Sequence, residues 1–217
     1  MSIAAETEPL LETEPRASVS LAVPAGLRLK VSPEDFWTLC LFNRDLRLER
    51  NAQGELIAMS PAGSESGALN FQLCKQLGIW ADTDKTGIGF DSSAGFTLPN
   101  GAVRAPDAAW ITLDRWKTLT KRQRAEFAPI VPDFVVELCS PSDTRADTRA
   151  KMVEYLEQGV RLGWLIDART PEFEVEIHRP GRPAETLSKP QTVSGEDVLA
   201  GFTLELGKFL TDWSALK

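Results

Sequence analysis

The feature that most constrains this chain is an apolar run broken by a single interior carboxylate. The segment "DFVVELC" reads as a strand covered on both faces, with Glu137 inside it. The next segment, "SPSDTRADTRAKMVEYLEQG", reads as a helix closed by Gly159 as the residue past its end, and "LGWLIDA" returns as a second buried strand. Strand, helix and strand make a βαβ unit, so the two strands should be parallel and joined by a right-handed crossover. A chain built on this unit needs a sheet with helices laid against it.

The flanking segments add antiparallel partners. "SPEDFWTLCLFN" reads as a short helix with Ser32 as N-cap, Pro33 in its first position and Asp35 completing a capping box. "LRLERNAQGELIAM" reads as a hairpin. A second helix is expected from about Ser64 to Trp80, with Leu69, Leu73, Leu77 and Trp80 on its apolar stripe. "TGIGFDSSAGFTLPNGAVRAPDAAWITL" is strand-rich around a Pro-Asn-Gly turn, and "RWKTLTKRQRAEFAPIVP" reads as a polar helical insert. "SGEDVLAGFTLELGKFL" reads as a short capped helix and a terminal segment anchored by Phe202, Leu204 and Leu206. The fold class is α/β: a mixed central sheet flanked by helices, with an N-terminal β-hairpin/helix extension. Residues 1–20, acidic and poor in apolar side chains, read as a flexible tail, and residues 21–217 as a single domain.

Composition removes several classes of function. A net charge of −7 argues against a general nucleic-acid coat protein, though not against an enzyme that meets DNA through a local patch. One histidine, His178, excludes a site that needs several imidazoles, and no ligand set for zinc is present. Cys40, Cys74 and Cys139 show no CxxC spacing and fit small buried side chains in a reducing compartment. There is no GxxxxGK[ST] phosphate loop and no nucleophile elbow. No apolar run approaches membrane-span length, and the N-terminus lacks a basic region followed by an apolar one, so a cytoplasmic protein is expected.

What remains is carboxylate chemistry. Asp107 heads the apolar run of "RAPDAAW", and Glu137 lies 30 positions later in its own strand. A carboxylate at the edge of buried structure needs a cation or a metal. If the two strands are antiparallel neighbours, the start of one lies beside the end of the other, and both carboxylates can reach one hard cation at about 2.1–2.4 Å. The main-chain carbonyl of Leu138 offers a third oxygen, with water completing an octahedron around Mg²⁺ or Mn²⁺. Lys151, on the following helix, has a stem long enough to return its ammonium group to the strand end. Tyr155, the only tyrosine, lies four residues on, where it either holds Lys151 or a phosphate or simply packs. Taken singly, each of these residues has an ordinary account as a turn residue, a buried ion-pair partner or a solvated charge.

The stretches "LIAMSPAGSESG", "FDSSAGFTLPNGAVRAPDAAWI", "PDFVVELCSPSD", "KMVEYLEQGVRLGWLID" and "DVLAGFTLEL" together resemble the Uma-two family of restriction-endonuclease-like proteins, within the PD-(D/E)XK nuclease superfamily. The resemblance covers roughly residues 27–210. It implies a restriction-endonuclease-like core and metal-dependent cleavage of DNA phosphodiesters. It implies Asp107 and Glu137 as acidic metal ligands and adds Glu65 as an early helix carboxylate. The superfamily's Glu-x-Lys would put lysine at position 139, where this chain has Cys139, and Lys151 on the next helix is the natural replacement. Asp91 is a further nearby carboxylate, equally suited to a strand-to-turn role.

The expected function is a Mg²⁺- or Mn²⁺-dependent endonuclease acting on DNA, with a homodimer expected because cutting two strands needs two sites. DNA would be positioned by the basic segment from Lys117 to Arg124, which includes Lys121 and Arg122, or by Arg145 and Arg149. Solvated helix charge explains these residues equally well. The rival expectation is a nuclease-like DNA-binding or protein-interaction module that has lost turnover. A third is an accessory protein of defence or mobile elements that works only with a partner.

Overall fold

The structure, a computed structural model, describes residues 27–207 apart from residues 142 and 171. The expected acidic tail therefore lies outside the described residues. In chain order the elements are α1 (Pro33–Phe42), β1 (Arg47–Arg50), β2 (Leu56–Met59), α2 (Ser64–Asp84), β3 (Gly87–Asp91), β4 (Phe96–Thr97), β5 (Val103–Arg104), β6 (Ala108–Thr112), α3 (Leu113–Lys117), α4 (Lys121–Ala125), β7 (Phe134–Leu138), α5 (Arg145–Gln158), β8 (Leu162–Asp167), β9 (Glu174–His178), β10 (Glu185–Ser188), β11 (Thr192–Ser194) and β12 (Thr203–Glu205).

The central sheet has six strands in the order β10-β9-β8-β7-β6-β3. Only β7 and β8 pair in parallel, as the βαβ reading requires, while β6–β7, β3–β6, β8–β9 and β9–β10 are antiparallel. The fold is thus a mixed central sheet flanked by helices. The hairpin β1–β2 belongs to a second, four-stranded sheet of order β2-β1-β5-β4.

Alternation sorts the side chains of β6, β7 and β8 onto two faces. On one face Trp110, Phe134, Val136 and Trp164 pack with Leu73 and Leu77 of α2 and with Phe202, Leu204 and Leu206. The rings of Phe134 and Trp164 meet edge-on at 4.7 Å, and Trp164 stacks on Phe202 at 5.9 Å. The opposite face carries Ala109, Val135 and Leu165 under Met152 and Tyr155 of α5. Gly163 lets α5 come close, since a Cβ there would lie 2.3 Å from Met152 Cε. Glu137 is on this α5 face, one step from Val135 along the pleat.

Local signals explain the helix limits. Ser32 Oγ accepts the Asp35 N–H at 3.0 Å and donates to the Asp35 carboxylate at 2.9 Å. Gly159 ends α5 with φ +114, a left-handed conformation that costs a glycine little. Three expectations need correction. The second helix runs four residues past Trp80, to Asp84, because nothing before Lys85 takes the left-handed turn that stops it. The basic insert is split into α3 and α4 by the turn at 118–120. The segment "SGEDVLAG" makes a hydrogen-bonded turn between β11 and β12 in place of a helix: Glu196 at φ +54 and Gly201 at φ +79 leave room for little more than the bond from Leu199 N–H to the Gly195 carbonyl.

Candidate active site

The register that pairs Ala108 with Val136 carries on by one step, so Asp107 stands across from Glu137 at the end of the β6–β7 ladder. Asp107 Oδ2 accepts the Leu138 N–H at 2.8 Å, and its Oδ1 takes the Arg47 guanidinium at 3.2 Å. In an extended strand the N–H and C=O of one residue face the same neighbour, so the Leu138 carbonyl is also turned toward the Asp107 side.

Glu137 is buried. Its Oε1 accepts the Tyr155 hydroxyl at 2.8 Å and lies 3.1 Å from Lys151 Nζ. Lys151 and Tyr155 are one turn apart on α5, so a single helix face delivers both to one oxygen. Sequence position 139 would reach the same side of β7 as Glu137, two residues along. In this chain that place holds Cys139, a buried thiol against Thr148, and the ammonium group descends from α5 instead.

Lys151 has a second partner that the sequence reading did not single out. Its Nζ lies 3.1 Å from Glu49 Oε1. Glu49 of β1 is only 2% exposed, with Oε1 also accepting the Ala105 N–H at 3.1 Å and Oε2 accepting from Arg104 at 2.9 Å. Arg104 in turn donates through Nε to Glu154 of α5 at 2.7 Å, and Asn100 braces the other Glu154 oxygen at 2.9 Å. The cluster therefore sets four carboxylates (Glu49, Asp107, Glu137 and Glu154) against three cations (Arg47, Arg104 and Lys151).

One carboxylate is left without a matching cation, and the electrostatics make Glu137 the one that holds a proton most readily. Burial is the largest influence and raises its carboxyl to about 7; Asp107 and Glu49 reinforce the rise, while Lys151 and the Tyr155 hydroxyl oppose it. For Glu49 burial also pushes upward, but Lys151 and Arg104 outweigh it and hold the carboxyl below its ordinary value. Burial alone would lower the Lys151 ammonium, yet Glu137 and Glu49 raise it above the usual lysine range, so it stays charged.

The other expected residues fall elsewhere. Glu65 is exposed in the first turn of α2 and takes no part in this network. Asp91 caps its own turn by accepting from Ser93. Arg145 and Arg149 both bind Glu176 of β9, each at 2.6 Å. Glu176 pairs with Leu165, which pairs with Glu137, so α5 straddles a row with a carboxylate on β7 and another on β9. Lys121 and Arg122 lie on α4, where Arg122 pairs with Glu126 at 3.0 Å; the loop just after it carries Phe127, which meets the rings of Phe36 and Trp37.

Among the described residues no three Asp, Glu, Cys or His side chains converge into a metal-binding group by themselves. The donors at the strand ends still suit a hard cation. Magnesium is commonly held by one or two carboxylates, with waters and substrate phosphate filling the remaining positions. Asp107, Glu137 and the Leu138 carbonyl are the oxygens that would make up such a set, and Glu49 lies on the far side of Lys151.

No curated protein matches the chain. Among solved structures it is similar to "a putative nuclease belonging to DUF820 from Anabaena variabilis ATCC 29413", with a TM-score of 0.68 and 20% identity over 84% of this chain and 98% of that one. At that identity the likeness is one of fold. Residues 33–207 match the family model described as "Putative restriction endonuclease", and on that match the chain belongs to the Uma2 family.

Proposed function

We propose that the protein is a divalent-metal-dependent endonuclease that hydrolyses DNA phosphodiester bonds at the Asp107, Glu137 and Lys151 cluster. The observation that carries the reading is the 3.1 Å approach of Lys151 Nζ to the Glu137 carboxylate, directly across the strand ends from Asp107. The family description and the nuclease-like fold support the same class. A bound Mg²⁺ or Mn²⁺ would supply Lewis-acid stabilisation of charge on the phosphoryl oxygens and a more acidic water.

The protein's own groups have separable tasks. Asp107 and Glu137, with the Leu138 carbonyl, would hold the cation. Lys151, fixed between two carboxylates, would orient the attacking water and offset charge on the pentacoordinate phosphorus. Water adds to phosphorus, the ester P–O bond breaks, and the water proton ends on the departing alkoxide. Tyr155 holds the Glu137 orientation through its hydroxyl. Arg104 and Glu154 keep Glu49 in place so that Lys151 has a counter-charge on its far side. Arg145 and Arg149, the latter about half exposed, remain able to meet phosphate while tied to Glu176. A homodimer acting on DNA in the cytoplasm would bring two such sites to the two strands.

The test is nicking and linearisation of supercoiled plasmid by the purified chain. Cleavage should need Mg²⁺ or Mn²⁺ and stop with a chelator, and Asp107→Asn and Glu137→Gln should each lower the rate at least about a hundredfold. Equal cleavage by both variants overturns the assignment. A second reading, a nuclease-like module without turnover, draws on the near-complete neutralisation of the carboxylates by Arg47, Arg104 and Lys151. Metal binding without cleavage of duplex, single-stranded or branched DNA would favour it.

A further inference from the structure

Two arginines of this cluster are held in very different ways. Arg104 is locked on two sides, with Nε on Glu154 and Nη1 on Glu49, and its side chain is 9% exposed. Arg47 uses one nitrogen for everything: Nη2 donates to Asp107 Oδ1 at 3.2 Å and to the Ala105 carbonyl at 3.0 Å. Its Nε is buried with no hydrogen-bond partner, although the side chain as a whole is 34% exposed. A guanidinium carries five donors in a rigid fork, so a single engaged nitrogen beside an orphaned buried N–H leaves most of its bonding capacity unspent.

We propose that Arg47 is a two-position residue of the site: counter-ion of Asp107 while no metal is bound, and ligand of the DNA phosphate once a divalent cation takes Asp107. This rests on the metal-dependent reading of the same site. The Oδ1 oxygen that Arg47 holds is the Asp107 oxygen left over by the Leu138 N–H. A cation entering at Asp107 competes with the guanidinium for that oxygen, and two positive centres on one oxygen repel each other. Asp107 does not swing when Arg47 leaves, because the main-chain bond from Leu138 still fixes the carboxylate. Arg47 lies on β1 with a solvent-open side, so its fork can turn outward, and a phosphodiester offers the paired oxygens that the fork matches. Arg104 cannot exchange in this way without breaking an ion pair to Glu49 and another to Glu154.

The experiment is calorimetric titration of Mn²⁺ into the full chain without DNA, for wild type, Arg47→Ala and Asp107→Asn. It is paired with the affinity for a duplex oligonucleotide in Ca²⁺. Arg47→Ala should bind Mn²⁺ about tenfold more tightly, because a competing cation is gone, and duplex at least about tenfold more weakly. Arg47→Gln, which keeps a donor for the Ala105 carbonyl, carries the test if the alanine variant does not fold. Unchanged or weaker Mn²⁺ affinity in the Arg47 variants, with Asp107→Asn abolishing binding, overturns the two-position role and leaves the metal site standing. Unchanged duplex affinity overturns the phosphate half. Absence of Mn²⁺ binding to wild type overturns the metal reading and this proposal together.

Discussion

Asp107 accepts the Leu138 main-chain N–H at 2.8 Å, so the strand that carries Glu137 also fixes the orientation of the opposing carboxylate. This separates charge from architecture. An asparagine keeps an oxygen for the Leu138 N–H and removes the negative charge. Asp107→Asn should therefore melt within a few degrees of wild type and fail to bind Mn²⁺, whereas Asp107→Ala should lose binding and about 1–2 kcal/mol of stability as well. Thermal melts beside calorimetry check both halves.

Lys151 sits 3.1 Å from each of two buried carboxylates. Lys151→Met keeps the stem and deletes the charge, leaving Glu49 and Glu137 facing each other. We expect a loss of about 3–5 kcal/mol in urea unfolding of the metal-free chain, since removing one partner strands a buried charge. Adding Glu49→Gln should recover part of it. A fully additive double variant would contradict the bridging role.

How much of this was visible in the sequence differs between residues. The β7–α5–β8 unit was legible because its strands are continuous apolar runs and Gly159 marks the helix end. Asp107 and Glu137 were legible because a carboxylate against such a run is conspicuous. Glu49 was not. It lies in "RLER", where charged residues on a short hairpin look solvated, and its burial comes from Arg104 and Lys151, 55 and 102 positions away. The same limit applies to α5. Its lysine and arginines look alike along the helix, yet Lys151 meets Glu137 while Arg145 and Arg149 meet Glu176, a division set by which strand lies under each turn. Glu65 came from the family resemblance alone; it lies exposed in the first turn of α2, whose Leu73 and Leu77 pack on the sheet face opposite α5.

The raised Glu137 carboxyl gives a pH dependence with a definite sign. Burial, reinforced by Asp107 and Glu49, lifts it from the ordinary 4.5 to about 7. The folded metal-free chain therefore holds a proton that the unfolded chain releases, and stability falls as pH rises from about 4.5 to about 7. Urea unfolding of wild type and Glu137→Gln from pH 5 to pH 8 checks this: wild type should lose stability relative to the variant across that window. Parallel curves would contradict the assignment.

Tyr155 donates to the Glu137 oxygen that also meets Lys151. Tyr155→Phe removes only the hydroxyl. A hydrogen bond to an ionised carboxylate is worth roughly 1.5–3 kcal/mol, so Mn²⁺ affinity near neutral pH should drop by about tenfold or more. The loss should shrink at higher pH, where Glu137 is ionised without that donor. An equal loss at all pH values would point to packing instead.

Gly163 links the packing to the site. A methyl group there meets Met152 Cε at 2.3 Å and presses on the helix that carries Lys151 and Tyr155. Gly163→Ala should destabilise by about 1–3 kcal/mol and slow cleavage beyond what the folded fraction explains. Pairing it with Met152→Ala should restore part of the rate, and no recovery would place the defect elsewhere.

The most direct test of the account is a crystal structure of the chain with Mn²⁺, read for anomalous density. The account predicts a peak between the ends of β6 and β7, about 2.1–2.4 Å from an oxygen of Asp107 and of Glu137, with Arg47 turned away from Asp107. Crystals in millimolar Mn²⁺ with no peak there, and Arg47 still on Asp107, would contradict it.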